Sequence, residues 1–179
     1  HLIEKVKECW SSLYTPRAIF YRHEKNLVDH HVSVAVVVQS MIQSEVSGVA
    51  FTVHPVTEDR NQMIIEAGLG LGEAIVSGQI TPDSYVVSKS DMTLLDITVG
   101  QQRKRLDRAG DIKIKDTANV WTELGEEGEK QKLSGRQIIV LAELCKKIEE
   151  HYDAPCDIEW AFADGNFYIT QSRPITTLK

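Results

Sequence analysis

Asp157-Ile158-Glu159-Trp160-Ala161-Phe162-Ala163-Asp164-Gly165-Asn166-Phe167-Tyr168-Ile169-Thr170-Gln171-Ser172-Arg173-Pro174 places two runs of alternating apolar and polar residues on either side of an Asp-Gly pair. That pattern is a strong short-range hairpin signal. Alternation sets Asp157 and Glu159 on one face of the first strand and Ile158, Trp160 and Phe162 on the other. Gln171 and Arg173 share a face of the second strand in the same way. Two carboxylates, an amide and a guanidinium on one ladder suit a magnesium-polyphosphate. Mg²⁺ prefers hard oxygen ligands from one or two carboxylates plus substrate phosphates, and Arg offers a planar donor fork to phosphoryl oxygens. The plainer alternative is a hairpin whose acidic and basic cross-strand pairs are only solvated surface.

Register separates useful from useless arrangements, because a slip of one residue turns every side chain to the other face. A two-residue loop at Asp164-Gly165 pairs Ala163 with Asn166 and so Glu159 with Thr170, leaving Glu159 and Gln171 on opposite faces. A loop of Asp164 to Asn166 pairs Glu159 with Gln171 and Asp157 with Arg173. A shared site therefore predicts the odd-length loop.

The remainder of the chain sets bounds. Its 179 residues fit one sizeable domain or two small lobes with a real core. A hydrophobic share of 42% with 26% charged residues is ordinary for a globular protein, and a net charge of −6 argues against a nucleic-acid partner. The basic run Arg103-Lys104-Arg105 is followed by Asp107, Arg108 and Asp111 and reads as a solvated loop. No apolar stretch approaches a membrane span and no signal peptide is visible, so no membrane partner is expected. Cys9, Cys145 and Cys156 form no Cys-x-x-Cys pair; Cys9 and Cys145 fall on helical patterns and read as small buried hydrophobes. This usage points to a reducing, cytoplasmic compartment. The histidines, His30-His31 in a polar connector among them, lack the clustering of a zinc site.

The chain opens inside a helical pattern, with Ile3, Val6, Trp10 and Leu13 on one face and nothing ahead to cap it, as a segment of something longer would. A second helix is expected from Thr15-Pro16 to about Glu24, with Thr as N-cap and Pro in the first turn. A connector from Lys25 to His31 then leads into Val32 to Met41, which reads as a buried strand. Further strands are expected at Val49–Val53, Met63–Ala67, Ser84–Ser88 and Thr93–Val99, the last two joined by a turn at Ser90-Asp91. Residues 105 to 132 read as a long flap with one short strand near Val120-Trp121. Ser134-x-x-Gln137 is a capping box, opening a helix with an apolar stripe of Ile138, Leu141, Leu144, Cys145 and Ile148 and ending near Tyr152. The order is helical, then antiparallel strands, then helix and hairpin, which is α+β.

Two further motifs are less specific. Gly68-Leu69-Gly70-Leu71-Gly72 lacks the spacing of a dinucleotide fingerprint and the ending of a P-loop. Its glycines serve a turn or a close backbone approach. Val37-Val38-Gln39-Ser40-Met41-Ile42 reads as a strand leaving the core, a place where some nucleotide-binding folds present backbone groups to adenine.

Taken in order, several runs resemble one known family. They are Cys9-Trp10-x-Ser12-Leu13 with Arg17-Ala18 and Tyr21-Arg22, Val38-Gln39-x-Met41 with Ser47-Gly48-Val49-Ala50-Phe51-Thr52, and Gly70-Leu71-Gly72-Glu73-x-x-Val76-Ser77-Gly78. Pro82-Asp83, Asp157-Ile158-Glu159-Trp160 and Gln171-Ser172-Arg173-Pro174 complete the series. Together they are similar to the ATP-binding domain of phosphoenolpyruvate synthases and pyruvate phosphate dikinases, shared by rifampicin phosphotransferases.

The resemblance implies an ATP-grasp fold, here its C-terminal part. Residues 1–31 would be a helical lead-in and 32–179 the lobe, a mainly antiparallel sheet with flanking helices ending in the hairpin. It implies Mg-ATP as cofactor, with Glu159 and Gln171 holding magnesium and Asp157 supporting them. Arg173 would bind a phosphoryl oxygen, with Arg173 and Glu159 as the catalytic pair. Gln39, Ser40, Met41 and Ile42 would border adenine, and Glu73 would lie near the nucleotide. The implied partners are an N-terminal lobe with its phosphate-binding Lys and Arg, a swivelling phosphohistidine domain and a small-molecule acceptor, pyruvate ahead of a rifamycin. All three lie outside these 179 residues, so the piece alone is expected to bind nucleotide weakly and not to turn over. A nucleotide-binding module without catalysis is the remaining alternative.

Overall fold

A computed structural model describes residues 1–27, 32–108, 119–176 and 178. The chain divides into two compact units, His1–Met41 and Ile42–Lys179. The expectation for His30-His31 lies outside the described residues.

The first unit is a pair of helices, α1 (Leu2–Ser11) and α2 (Pro16–Glu24), joined by a 3₁₀ turn at Ser12–Tyr14. Thr15 caps α2 as expected: the Ala18 amide donates to Thr15 Oγ1 at 3.4 Å, and Pro16 fills the first position, where no partner for its nitrogen is needed. Arg22 Nη2 donates to the Leu13 carbonyl at 2.8 Å and ties the pair together. Neither helix buries a residue, and the apolar stripe is open, with Ile3 at 70% and Trp10 at 52% exposure. Cys9 is exposed too, which corrects its reading as a buried hydrophobe.

The buried strand expected at Val32 to Met41 does not form. Residues 32–41 join no sheet, and Val37 is 83% exposed. Valine favours the extended backbone, but a strand is stabilised by cross-strand neighbours and burial. Among the described residues these valines have no ladder partner.

The second unit is built on a six-stranded antiparallel sheet. Its strands are β1 (Val46–Phe51), β2 (Gln62–Leu69), β3 (Asp83–Ser88), β4 (Leu94–Thr98), β7 (Cys156–Ala163) and β8 (Asn166–Pro174), in the order β4-β3-β2-β1-β7-β8. The terminal hairpin thus docks on β1, with Val49 opposite Glu159 and Phe51 opposite Asp157. Helix α4 (Gly135–Tyr152) packs on one face with Ile138, Leu141, Ala142 and Cys145 buried. They meet Ala50, Met63, Ile65, Tyr85, Ile158 and Trp160, the residues that alternation assigns to that face. The capping box forms in both directions, between the Ser134 side chain and the Gln137 amide and between the Gln137 side chain and the Ser134 amide. Asp153, in the left-handed region at φ 51°, ends the helix.

Two features hold this sheet closely. Gly48 has no room for a side chain: a Cβ there would overlap the Glu66 carbonyl oxygen and lie 2.6 Å from the Trp160 ring. Gly48→Ala is therefore expected to lower stability by about 3 kcal/mol, read as a reduced denaturant midpoint. Asp83, meanwhile, sits in a closed polar knot. Its Oδ1 lies 3.0 Å from Lys132 Nζ, with both side chains fully buried. Oδ1 also accepts from the Gly100 amide at 2.9 Å, and Oδ2 accepts from the Lys132 amide at 2.8 Å and the Tyr85 hydroxyl at 2.6 Å. Lys132 Nζ donates onward to the carbonyls of Gly100 and Gly128. Burial, followed by the bond to Asp83, pushes the Tyr85 phenol well above its ordinary range. The Pro82-Asp83 motif thus pins two connecting segments to the sheet.

Among the described residues of the stretch expected as a flap there are two short strands where one was expected, β5 (Lys104–Asp107) and β6 (Val120–Glu123), followed by a 3₁₀ turn at Gly125–Glu129. It joins the glycine segment through a bridge between Gly70 and Leu106, where the Leu71 amide donates to the Leu106 carbonyl at 2.8 Å. Gly70 takes φ 90°, and a Cβ would meet the Leu106 backbone at 2.5 Å; the glycine permits this contact. Between Gly70 and β3, the short helix α3 (Glu73–Val76) buries Ala74 and Ile75. The basic run is only partly a solvated face: Lys104 Nζ stands 4.0 Å over the Trp121 ring, and Arg105 pairs with Asp107 at 2.9 Å.

Candidate nucleotide site

The terminal hairpin reaches the expected pairing by an unexpected route. Its loop has two residues, not three: Ala163 pairs with Asn166, and Asp164 and Gly165 take φ 51° and 76°, the left-handed signs of a type I′ turn. Further along, Trp160 pairs with Ile169 and Glu159 with Gln171, so Thr170 is an extra residue in a bulge. One inserted residue changes parity as an odd loop would. Glu159 therefore faces Gln171 and Asp157 faces Arg173. The odd-loop expectation is corrected, while the pairing it served is present. Glu45 Oε1 accepts from the Asp164 amide at 3.0 Å and helps hold the turn. Deleting Thr170 is expected to leave both pairs opposed, because the ladder becomes regular on both sides. Interstrand proton contacts between Glu159 and Gln171 check this, and a slipped strand would contradict it.

The side chains meet across the ladder. Gln171 Nε2 donates to Glu159 Oε1 at 3.4 Å, while Arg173 Nε and Nη2 donate to Asp157 Oδ2 at 2.8 and 2.6 Å. Arg173 remains 66% exposed while Asp157 is 13% exposed, so the carboxylate is the fixed partner and the guanidinium the accessible one. The hydrogen bond and charge of Asp157 push the Arg173 pKa further up, and the guanidinium is permanently cationic.

Register extends this row across the sheet. Ser84, Glu66, Val49, Glu159 and Gln171 stand opposite one another on successive strands, on the face away from α4. Burial alone raises the pKa of Glu66. The sequence reading missed this carboxylate, whose signal was one acid inside the apolar run Met63-Ile64-Ile65-Glu66-Ala67.

The donor chemistry fits magnesium. Glu159 and Asp157 offer carboxylate oxygens and Gln171 an amide oxygen, available if its side-chain amide turns about its terminal torsion. Among the described residues no three His, Cys, Asp or Glu side chains converge on one point. Such a site binds a cation only with further oxygens, which phosphates supply.

The other expected contacts are dispersed along the chain. Glu73 begins α3, is exposed and accepts from Asn119 Nδ2 at 3.0 Å. Gln39, Ser40 and Met41 are exposed residues of the helical unit, and half-buried Ile42 opens the sheet unit.

Residues 1–179 match the family described as the pyruvate phosphate dikinase AMP/ATP-binding domain. The chain belongs to this family. Within it, the chain is 48% identical over 179 residues to a probable phosphoenolpyruvate synthase of Archaeoglobus fulgidus, covering 99% of this chain and 23% of that protein. It is 46% identical over 186 residues to the phosphoenolpyruvate synthase of Pyrococcus furiosus, covering 99% and 22% respectively. A rifampicin phosphotransferase of Bacillus cereus is 36% identical over 178 residues, covering 99% and 20%. The chain thus spans roughly a fifth to a quarter of these dikinase-family relatives. As a member of an AMP/ATP-binding family, it carries its candidate nucleotide-binding face on an antiparallel α+β sheet. No described helix is long and apolar enough to cross a membrane.

Proposed function

We propose that this chain is the Mg-ATP-binding part of a phosphoenolpyruvate synthase-like, cytoplasmic phosphotransferase. The parent enzyme passes a phosphoryl group from ATP to a histidine of a swivelling domain and on to pyruvate. The observation that carries the reading is the pair of polar cross-strand contacts, Glu159–Gln171 and Asp157–Arg173, on one face of the sheet. Glu159 and Gln171 hold the magnesium, Asp157 fixes Arg173, and Arg173 presents its outer nitrogens to a phosphoryl oxygen. Magnesium, when bound, screens the charge of the phosphates. The protein's part is to fix these donors before the reaction begins, which is where phosphoryl transfer gains most. Ile42 and Glu73, both in the sheet unit, border the nucleotide. The N-terminal lobe of the parent closes over the site.

Identities of 46% and 48% to phosphoenolpyruvate synthases against 36% to the rifampicin phosphotransferase favour pyruvate as acceptor over a rifamycin. Equilibrium titration of this chain with ATP tests the nucleotide reading. Weak binding that is strengthened by Mg²⁺, reversed by a chelator and unaccompanied by hydrolysis is expected. Binding indifferent to Mg²⁺ would overturn it.

A further inference from the structure

We infer that the cavity between the end of α3 and the start of β5 binds a phosphorylated polyhydroxy small molecule, with Arg103 and Lys104 on its phosphate. This site is separate from the terminal hairpin and does not depend on the Mg-ATP reading. The cavity has a volume of about 700 Å³, within the range of small-molecule sites. Two chain segments line it: residues 78–81, which follow α3, and Gln101, Arg103 and Lys104, which lead into β5. Glu123 of β6, opposite Lys104 in the ladder, completes the lining. The first segment enters β3, which stands three strands from β7 in the sheet, about 14 Å.

Both segments are fastened from behind. The Gly100 amide donates to Asp83 Oδ1 at 2.9 Å, and its carbonyl accepts from Lys132 Nζ at 2.7 Å. A Cβ on Gly100 would overlap the Pro82 carbonyl oxygen, so the two backbones touch there. Gln102 is buried, and its side chain bonds the Leu69 amide and carbonyl and the Lys104 carbonyl. The Pro82-Asp83 motif and its polar knot thus hold the backbone that carries Thr81, Gln101 and Arg103. A cavity fixed in this way needs little ordering when a ligand enters.

The lining defines what fits. Arg103 is exposed, and among the described residues nothing accepts from its guanidinium, so its planar fork is free for two phosphoryl oxygens. Lys104 adds a second positive charge, its ammonium resting over the Trp121 ring. Gln79 Nε2 donates to Ser77 Oγ at 2.9 Å, and that hydroxyl donates to the Glu73 carbonyl at 2.6 Å. The Gln79 side-chain oxygen is therefore left as an acceptor. Gln101 Nε2 donates to Glu129 Oε1 at 2.9 Å, which fixes its amide in the same sense. These two oxygens and the Glu123 carboxylate accept hydroxyl hydrogens. The matching ligand is anionic at one end and carries several O–H donors at the other. No aromatic ring is among the lining residues, so a nucleobase finds no stacking partner and a sugar phosphate is the better fit.

The test uses this chain at constant ionic strength, following amide resonances during titration with the primary-hydroxyl phosphate monoesters of glycerol, ribose and glucose. At least one is expected to shift the amides of Gln79, Thr81 and Arg103 saturably at millimolar concentration or below, leaving those of Glu159 and Gln171 in place. Glucose and inorganic phosphate each carry half of the recognised chemistry and should bind at least about tenfold more weakly. Arg103→Gln should weaken the sugar phosphate by about tenfold or more, while Glu123→Gln should weaken it and spare inorganic phosphate. Both side chains are exposed, so an unchanged melting midpoint is expected in each variant. No saturable shift with any of the three esters would overturn the site. Equal affinity for inorganic phosphate, or full affinity in Arg103→Gln, would sink it as well. Protection of these amides from exchange in the full-length parent, without binding in this chain, would make the surface a domain contact instead.

Discussion

Glu159→Gln in the full-length parent enzyme is expected to lower ATP-dependent phosphorylation of the histidine by about a thousandfold or more, with an unchanged unfolding midpoint. The substitution keeps size and shape but replaces a charged oxygen pair with a neutral amide. On the proposed reading, magnesium would lose its anionic anchor, and Gln171, an amide, would not replace the charge. The fold is indifferent because Glu159 contributes nothing to the apolar core, which lies on the opposite face with Ile158 and Trp160. The hydrogen bond it accepts from Gln171, at 3.4 Å, survives in an amide pair. The check is transfer of labelled phosphate to the enzyme beside a thermal melt. Full phosphorylation would remove Glu159 from the metal site, and a lowered midpoint would reveal a structural role.

The hairpin was legible where physics is local. Asp164-Gly165 is a turn signal carried by two residues, and alternation along Asp157 to Phe162 separates core from site without further information. The bulge at Thr170 was not legible, because loop length and bulge change strand parity equally and only three-dimensional packing selects between them. Here the type I′ turn matches the twist of the strands, and the core demands Ile169 beside Trp160 and Ser172 beside Ile158. The capping box at Ser134 and the Thr15-Pro16 start were legible for the same local reason. Val32 to Met41 failed because composition states a preference for extended backbone and says nothing about whether a neighbour exists. Pro82-Asp83 marked a position without its purpose. The partner of Asp83 is Lys132, 49 residues away, and no spacing rule relates them.

Lys132→Met is expected to cost the sheet unit about 3–5 kcal/mol, enough to unfold a marginal domain at growth temperature. Methionine has comparable length and fills the space, so the loss is electrostatic. The Asp83 carboxylate would stay fully buried with its cation gone, and the Gly100 and Gly128 carbonyls would lose their common donor. Asp83→Asn should cost a similar amount, since it leaves the fully buried Lys132 cation without its counter-charge and turns an amide nitrogen toward the Lys132 backbone N–H. Joining the two, as Asp83→Asn with Lys132→Met, removes both charges and should recover part of the stability lost by Lys132→Met alone. That recovery distinguishes an uncompensated charge from a packing defect, because a defect in packing would add to the second change. Denaturant unfolding of the four proteins completes the cycle. Simple additivity would show that the buried ion pair contributes no coupling, and the Pro82-Asp83 motif would then need another explanation.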